Sequence, residues 1–240
     1  MTSHLSLLEE RAWAVFDIET TRDEAAVAAA GYKGNGIPSA LQRITTACLL
    51  IAEEDQDGRW SSISLRTFCA PSEFDILMGL DEDLADLATR GAALVSYNGR
   101  AHDLAVLRRR GARHWMFGLP GIAAASTMDH LDIMLRQRLG RRDATPTLRE
   151  ACGGLGISAF DPRHAGVSGL SPVAKCQIDV VATFLLALYE IAMERGSPAP
   201  LLAGWNALSD YLTRMQPRAA HLEQFRSHPL LRAAKRAQAH

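Results

Sequence analysis

The stretch AWAVFDIETTRD, residues 12–23, decides how the rest of the chain is read. It is apolar through Phe16, as a buried strand would be, yet it carries two carboxylates, Asp17 and Glu19, where a core would want none. Successive side chains of an extended strand alternate between faces, so Trp13, Val15, Asp17 and Glu19 share one side while Ala14, Phe16 and Ile18 share the other. The two acids then point the same way, about 7 Å apart along the backbone. Like charges so placed repel one another unless a cation lies between them, and a hard divalent ion with oxygen ligands meets that need. The alternative is a strand that ends at Asp17 with both acids in water.

Outward from this strand, AAVAAAGYKGNGIPSALQ predicts a short helix and then a Gly- and Pro-bearing loop. ITTACLLIAEE and WSSISLRTFC are two β-rich runs separated by DQDGR, whose Asp57-Gly58 is a hairpin signal, so an antiparallel meander of three strands is expected. SEFDILMGLDEDLADLATRG predicts a helix capped by Ser72 and ended at Gly91, with Phe74, Leu77, Leu80, Leu84 and Leu87 at helical spacing. A fourth strand, AALVSYNG, follows. Helices are then expected near 101–111, 128–139 and 146–155, and a long one over 171–195, with Ser171 and Pro172 in cap and first-turn positions. The pattern describes an α/β domain, a mixed sheet flanked by helices, over residues 1–196. GSPAP, 196–200, reads as its end and leaves a helical C-terminal extension over 197–240.

Composition sets the bounds. In 240 residues, 48% are hydrophobic, enough for one sizeable core, and 26 Lys and Arg against 27 Asp and Glu exclude a strongly basic protein that coats nucleic acid. The charge is segregated, however: acids dominate the first hundred residues, whereas Arg dominates 100–150 and bases outnumber acids in the last forty. A positive groove for nucleic acid fits this distribution. So does a solvated helix end at Arg108, Arg109 and Arg110. The four cysteines form no C-x-x-C pair and have no zinc-type spacing to His, which favours a reduced, cytoplasmic protein. No basic start precedes a long apolar stretch, so neither export nor a membrane is expected.

Two further acids stand out. In LVSYNGRAHDLAVL a strand ends at Tyr97-Asn98-Gly99 and a helix starts, with Asp103 in its first turn, where a carboxylate also suits the helix dipole. In CQIDVVATFLLALY, Asp179 interrupts an apolar helix and needs either a partner or an outward orientation. Lys175 lies one turn before it, on the same face.

Together, FDIET, YNGRAHDLAVL and KCQIDVVATFLLALY resemble the three motifs of the DEDD superfamily of 3′-5′ exonucleases, in particular the predicted bacterial 3′-5′ exonucleases related to the proofreading domain of family-B DNA polymerases. Lesser similarities lie in IPSALQRITTACL, HLDIML and TLREACGGLGI, and the resemblance spans residues 12–195. It implies a ribonuclease H-like fold and a two-metal site for Mg²⁺ or Mn²⁺, in which Asp17, Glu19 and Asp179 hold one ion and Asp17 bridges to a second that Asp103 contacts. It also implies single-stranded nucleic-acid 3′ ends as substrate and nucleoside 5′-monophosphates as product.

Where one branch of the superfamily has a water-orienting Tyr, four residues before the last aspartate, this chain has Lys175; where the other has His, one residue earlier, it has Ala174. The aromatic usual before the second-motif aspartate is His102. Lys175 is therefore the candidate replacement, either as a neutral amine bound to the water or as a positive charge near the phosphate. Asn98 and Arg100 are candidates to contact the terminal nucleotide or phosphate. The contrasting expectation is a catalytically weakened domain that binds nucleic acid or a protein partner.

Overall fold

Strand β1, Ala12–Arg22, lies at the centre of a five-stranded sheet ordered β3-β2-β1-β4-β5 in the computed structural model, which describes residues 12–55, 60–137, 145–159, 171–216 and 218–226. β2, Gln42–Glu54, pairs antiparallel with β1 on one side and with β3, Trp60–Phe68, on the other. β4, Ala93–Ser96, runs parallel to β1, and β5, His130–Asp132, runs parallel to β4. The mixed sheet expected from the sequence is thus present, its first three strands antiparallel; the Asp57-Gly58 turn lies outside the described residues.

The alternation of β1 separates two cores. Trp13 and Val15 pack with the long helix α7, Pro172–Glu194, while Ala14, Phe16 and Ile18 pack with helices α2, Glu73–Thr89, and α3, Asp103–Arg113. α7 is buried almost continuously from Cys176 to Leu188. Among the described helices it alone is long and apolar enough to cross a membrane, and its burial under the sheet makes it the core helix instead. Ser171 caps it, its Oγ accepting from the Ala174 N–H at 3.2 Å. Ser72 precedes α2 at the cap position but makes no side-chain cap bond.

The short helix α1 is Glu24–Ala30, and α4 is Pro120–Ala125. α4 crosses α2 in backbone contact: a Cβ on Gly121 would lie 1.9 Å from the Asp81 carbonyl oxygen. The helix expected over 128–139 divides into β5 and a short α5, Ile133–Gln137. Three residues are too few to show a strand period, and the pairing of Leu94, Val95 and Ser96 with His130, Leu131 and Asp132 decides their conformation. α6, Leu148–Gly154, starts with a reciprocal capping box between Thr147 and Glu150.

After GSPAP the chain continues into α8, Ala199–Met215, and a 3-10 turn, Ala220–Phe225. Both share a core with α7: Trp205 is buried and donates its indole N–H to the Phe225 carbonyl at 2.7 Å, and the Tyr211 hydroxyl accepts from the Leu65 N–H on β3 at 3.1 Å.

The run Arg108-Arg109-Arg110 is not wholly a solvated helix end. Arg108 and Arg109 are exposed, but Arg110 is buried, its fork donating to Glu73 through Nε (2.8 Å) and Nη2 (2.6 Å) and to Asp23 through Nη1 (2.7 Å). It ties the starts of α1 and α2 to α3.

Candidate active site

Three elements deliver the acids. β1 presents Asp17 and Glu19 just before a register shift between Glu19 and Thr20. α7 presents Lys175 and Asp179 one turn apart on the face toward β1, a packing held by the Cys176 thiol, which donates to the Asp17 carbonyl at 3.3 Å. One ligand oxygen from each of Asp17, Glu19 and Asp179 lies within 4.8 Å of the others. Asp103, the first residue of α3, is buried and lines the same cleft of about 500 Å³ without joining that triplet.

The loop between β4 and α3 sets Asp103 in place. Asn98 adopts φ +68°, in the left-handed region. Gly99 follows where a Cβ would lie 2.5 Å from Ser96 Oγ and 2.9 Å from the Phe16 ring, so no larger residue fits without displacement. Asp132, at the end of β5, accepts from the backbone N–H groups of Asn98 and Arg100, each at 3.0 Å, and fastens this loop to the sheet. The sequence reading missed Asp132 because it lay inside an expected helix; the signal was an acid closing the short HLD run. His102 pairs through Nδ1 with Asp103 Oδ1 at 2.8 Å, and that bond raises the imidazole pKa.

Of the residues proposed to touch nucleic acid, Asn98 lines the acidic cleft and Arg100 does not. The Arg100 guanidinium donates to the His130 carbonyl at 2.9 Å and borders a separate groove with Arg108 and Arg109. Tyr97 lines the cleft with its hydroxyl donating to the Pro146 carbonyl at 2.6 Å.

The cleft is electrostatically unbalanced. Burial, then repulsion from Asp103, Asp179 and Glu19, holds the Asp17 carboxyl well above the usual carboxylate range, with Lys175 opposing. Burial likewise raises Glu19 against its bond from Lys175, and raises Asp103 against its bond to His102. Lys175 Nζ donates to Glu19 Oε1 at 2.5 Å and to Asp179 Oδ2 at 2.9 Å. Burial lowers the Lys175 pKa, but Asp179 and Glu19 together outweigh it and raise the net value, so the side chain is an ammonium. Asp17 Oδ2 is buried and accepts no hydrogen bond. An unpartnered carboxylate oxygen among further acids is the donor set of a hard divalent cation, and Asp17, with Asp103, Glu19 and Asp179 around it, fits one.

The sequence matches no family model and no curated protein. Among solved structures, the chain is similar to E. coli exonuclease I in complex with a dT13 oligonucleotide, at 14% identity over 89% of this chain and 46% of that one, with a TM-score of 0.39. Another structure of exonuclease I matches at 16% identity over 86% and 44%, TM-score 0.43. The family B DNA polymerase from the hyperthermophilic archaeon Pyrobaculum calidifontis matches at 14% identity over 85% and 29%, TM-score 0.45. This chain spans less than half the length of each of these proteins.

Proposed function

We propose that the chain is a divalent-metal-dependent nuclease that hydrolyses phosphodiester bonds from the 3′ end of single-stranded nucleic acid. The observation that carries this reading is the convergence of Asp17, Glu19 and Asp179 within 4.8 Å around a buried, unpartnered Asp17 oxygen. Lys175 bonds Glu19 and Asp179 but not Asp17, whose buried oxygen is left for a further cation. The polarity, the single-stranded end and the release of nucleoside 5′-monophosphates follow the motif resemblance of FDIET, YNGRAHDLAVL and KCQIDVVATFLLALY.

Bound Mg²⁺ or Mn²⁺ supplies the Lewis acid that neutralises a phosphodiester and lowers the pKa of water. Asp17, Glu19 and Asp179, with Asp103 lining the same cleft, would hold it. Lys175 places a positive charge at the cleft, available to a phosphate oxygen. Asn98 and His102, at the cleft wall, orient the terminal nucleotide, and Asp132 keeps the wall in place by fixing the Asn98–Arg100 backbone. An end-labelled oligonucleotide incubated with Mg²⁺ or Mn²⁺ should be shortened stepwise, and Asp17→Ala should abolish the shortening.

A second reading is favoured by one contact: Lys175 already neutralises Glu19 and Asp179. On that reading the domain binds nucleic acid or a protein partner without cleaving, and the same oligonucleotide would be retained by the protein and remain full length.

A further inference from the structure

We infer that Lys175 is a built-in cation occupying one of two metal positions, so that the cleft takes a single divalent ion, centred on Asp17 on the side toward Asp103. The inference rests on the reading of the cleft as a metal-dependent nuclease centre and changes its stoichiometry.

Two halves of the cleft differ in what their oxygens touch. On the first, Glu19 Oε1 and Asp179 Oδ2 both accept from the Lys175 ammonium, at 2.5 and 2.9 Å. An ion ligated by those two oxygens would need them at about 2.0–2.6 Å, which is the space the ammonium nitrogen fills. An ion held beside that nitrogen would also meet a like charge at contact distance. On the second half, Asp17 Oδ2 is buried with no partner, and Asp103, itself buried, lines the same cleft. The charge is thus already balanced at one position and unbalanced at the other.

The backbone brings the three groups together. Lys175 and Asp179 are i and i+4 on α7, which places them on one face, and the turn carrying Lys175 is anchored to β1 by the bond from Cys176 Sγ to the Asp17 carbonyl. Glu19 lies two residues along the same strand and so meets Lys175 whenever α7 is seated. A neutral side chain at 175 would leave Glu19 and Asp179 without a counter-charge and open the second position.

The test is the number of Mn²⁺ ions bound per chain, measured on the full-length protein by calorimetry and by the loss of the free Mn²⁺ paramagnetic resonance signal. Wild type should bind one ion. Asp17→Asn should lose it, and Lys175→Met should bind two. The Lys175 side chain is half exposed, so methionine is accommodated, and a thermal melt checks the fold. Two ions in wild type, or one in Lys175→Met, would overturn the inference. If wild type binds two ions and still shortens an oligonucleotide, the nuclease reading stands and only the single-ion inference falls. If it binds none and shortens nothing, both fall.

Discussion

Replacing Arg110 by methionine removes a cation from between two buried carboxylates while keeping much of the side-chain volume. Arg110 makes a bidentate pair with Glu73 and a third bond to Asp23, and all three side chains are under a tenth exposed. Breaking a buried pair by deleting one partner costs about 3–5 kcal/mol, because the other charge stays buried. Here the orphaned acids keep other donors: the Ile44 N–H at 2.7 Å and His114 Nε2 at 2.8 Å on Glu73, and the Ala26 N–H at 3.1 Å on Asp23. The expected loss is therefore about 3 kcal/mol, the low end of that range.

Urea denaturation of both proteins measures it, read as a fall in midpoint at unchanged slope. The pH dependence gives an independent check. Asp23 is lowered by its Ala26 N–H bond and by Arg110, and Glu73 is lowered because Arg110, His114 and Ile44 together outweigh its burial. A carboxylate depressed in the folded state contributes stability above its unfolded pKa of about 4, and that contribution is lost as pH falls through the folded value. The difference between wild type and Arg110→Met should therefore narrow in acid, where the orphaned acids protonate. A loss below about 1 kcal/mol at neutral pH would refute the claim that this network clamps α1, α2 and α3 together.

Gly99→Ala should destabilise by about 1–3 kcal/mol, since its Cβ would overlap Ser96 and Phe16, and an unchanged melting temperature would contradict that packing. Asp132→Ala strips an acceptor from the Asn98 and Arg100 N–H groups; it should cost about 1–3 kcal/mol in denaturant and reduce nuclease turnover more than substrate affinity. In metal-free protein, Asp17 is raised by burial and by its neighbouring acids. Its contribution is thus fully present below its unfolded pKa and is lost as pH rises through the folded value. Asp17→Asn should accordingly stabilise the metal-free protein at neutral pH, a gain that disappears in acid; thermal melts across pH check it.

What the sequence disclosed was what short-range geometry determines. The alternation from Trp13 to Glu19 assigned side chains to faces, and the two cores follow that assignment residue by residue. The Lys175–Asp179 spacing announced their pairing, because a helix puts i and i+4 together. Contacts between elements were hidden. Nothing near Glu19 in the sequence points to Lys175, and their bond exists only because α7 packs across β1. Arg110 sits among arginines that do face water, so its burial depends on where α1 and α2 begin. Arg100 was expected at the acids, but the nearby His130 carbonyl draws its side chain to another groove. β5 was too short for its period to show, and Asp132 was lost with it.

The most direct measurement of the central claim is the length distribution of a 5′-labelled single-stranded oligonucleotide, as DNA and as RNA, incubated with the full-length protein in Mg²⁺ or Mn²⁺. The account predicts a ladder shortening from the 3′ end with release of nucleoside 5′-monophosphates, lost on chelation of the metal and absent in Asp17→Asn. Full-length oligonucleotide after incubation of folded, metal-loaded wild type with either nucleic acid would contradict it.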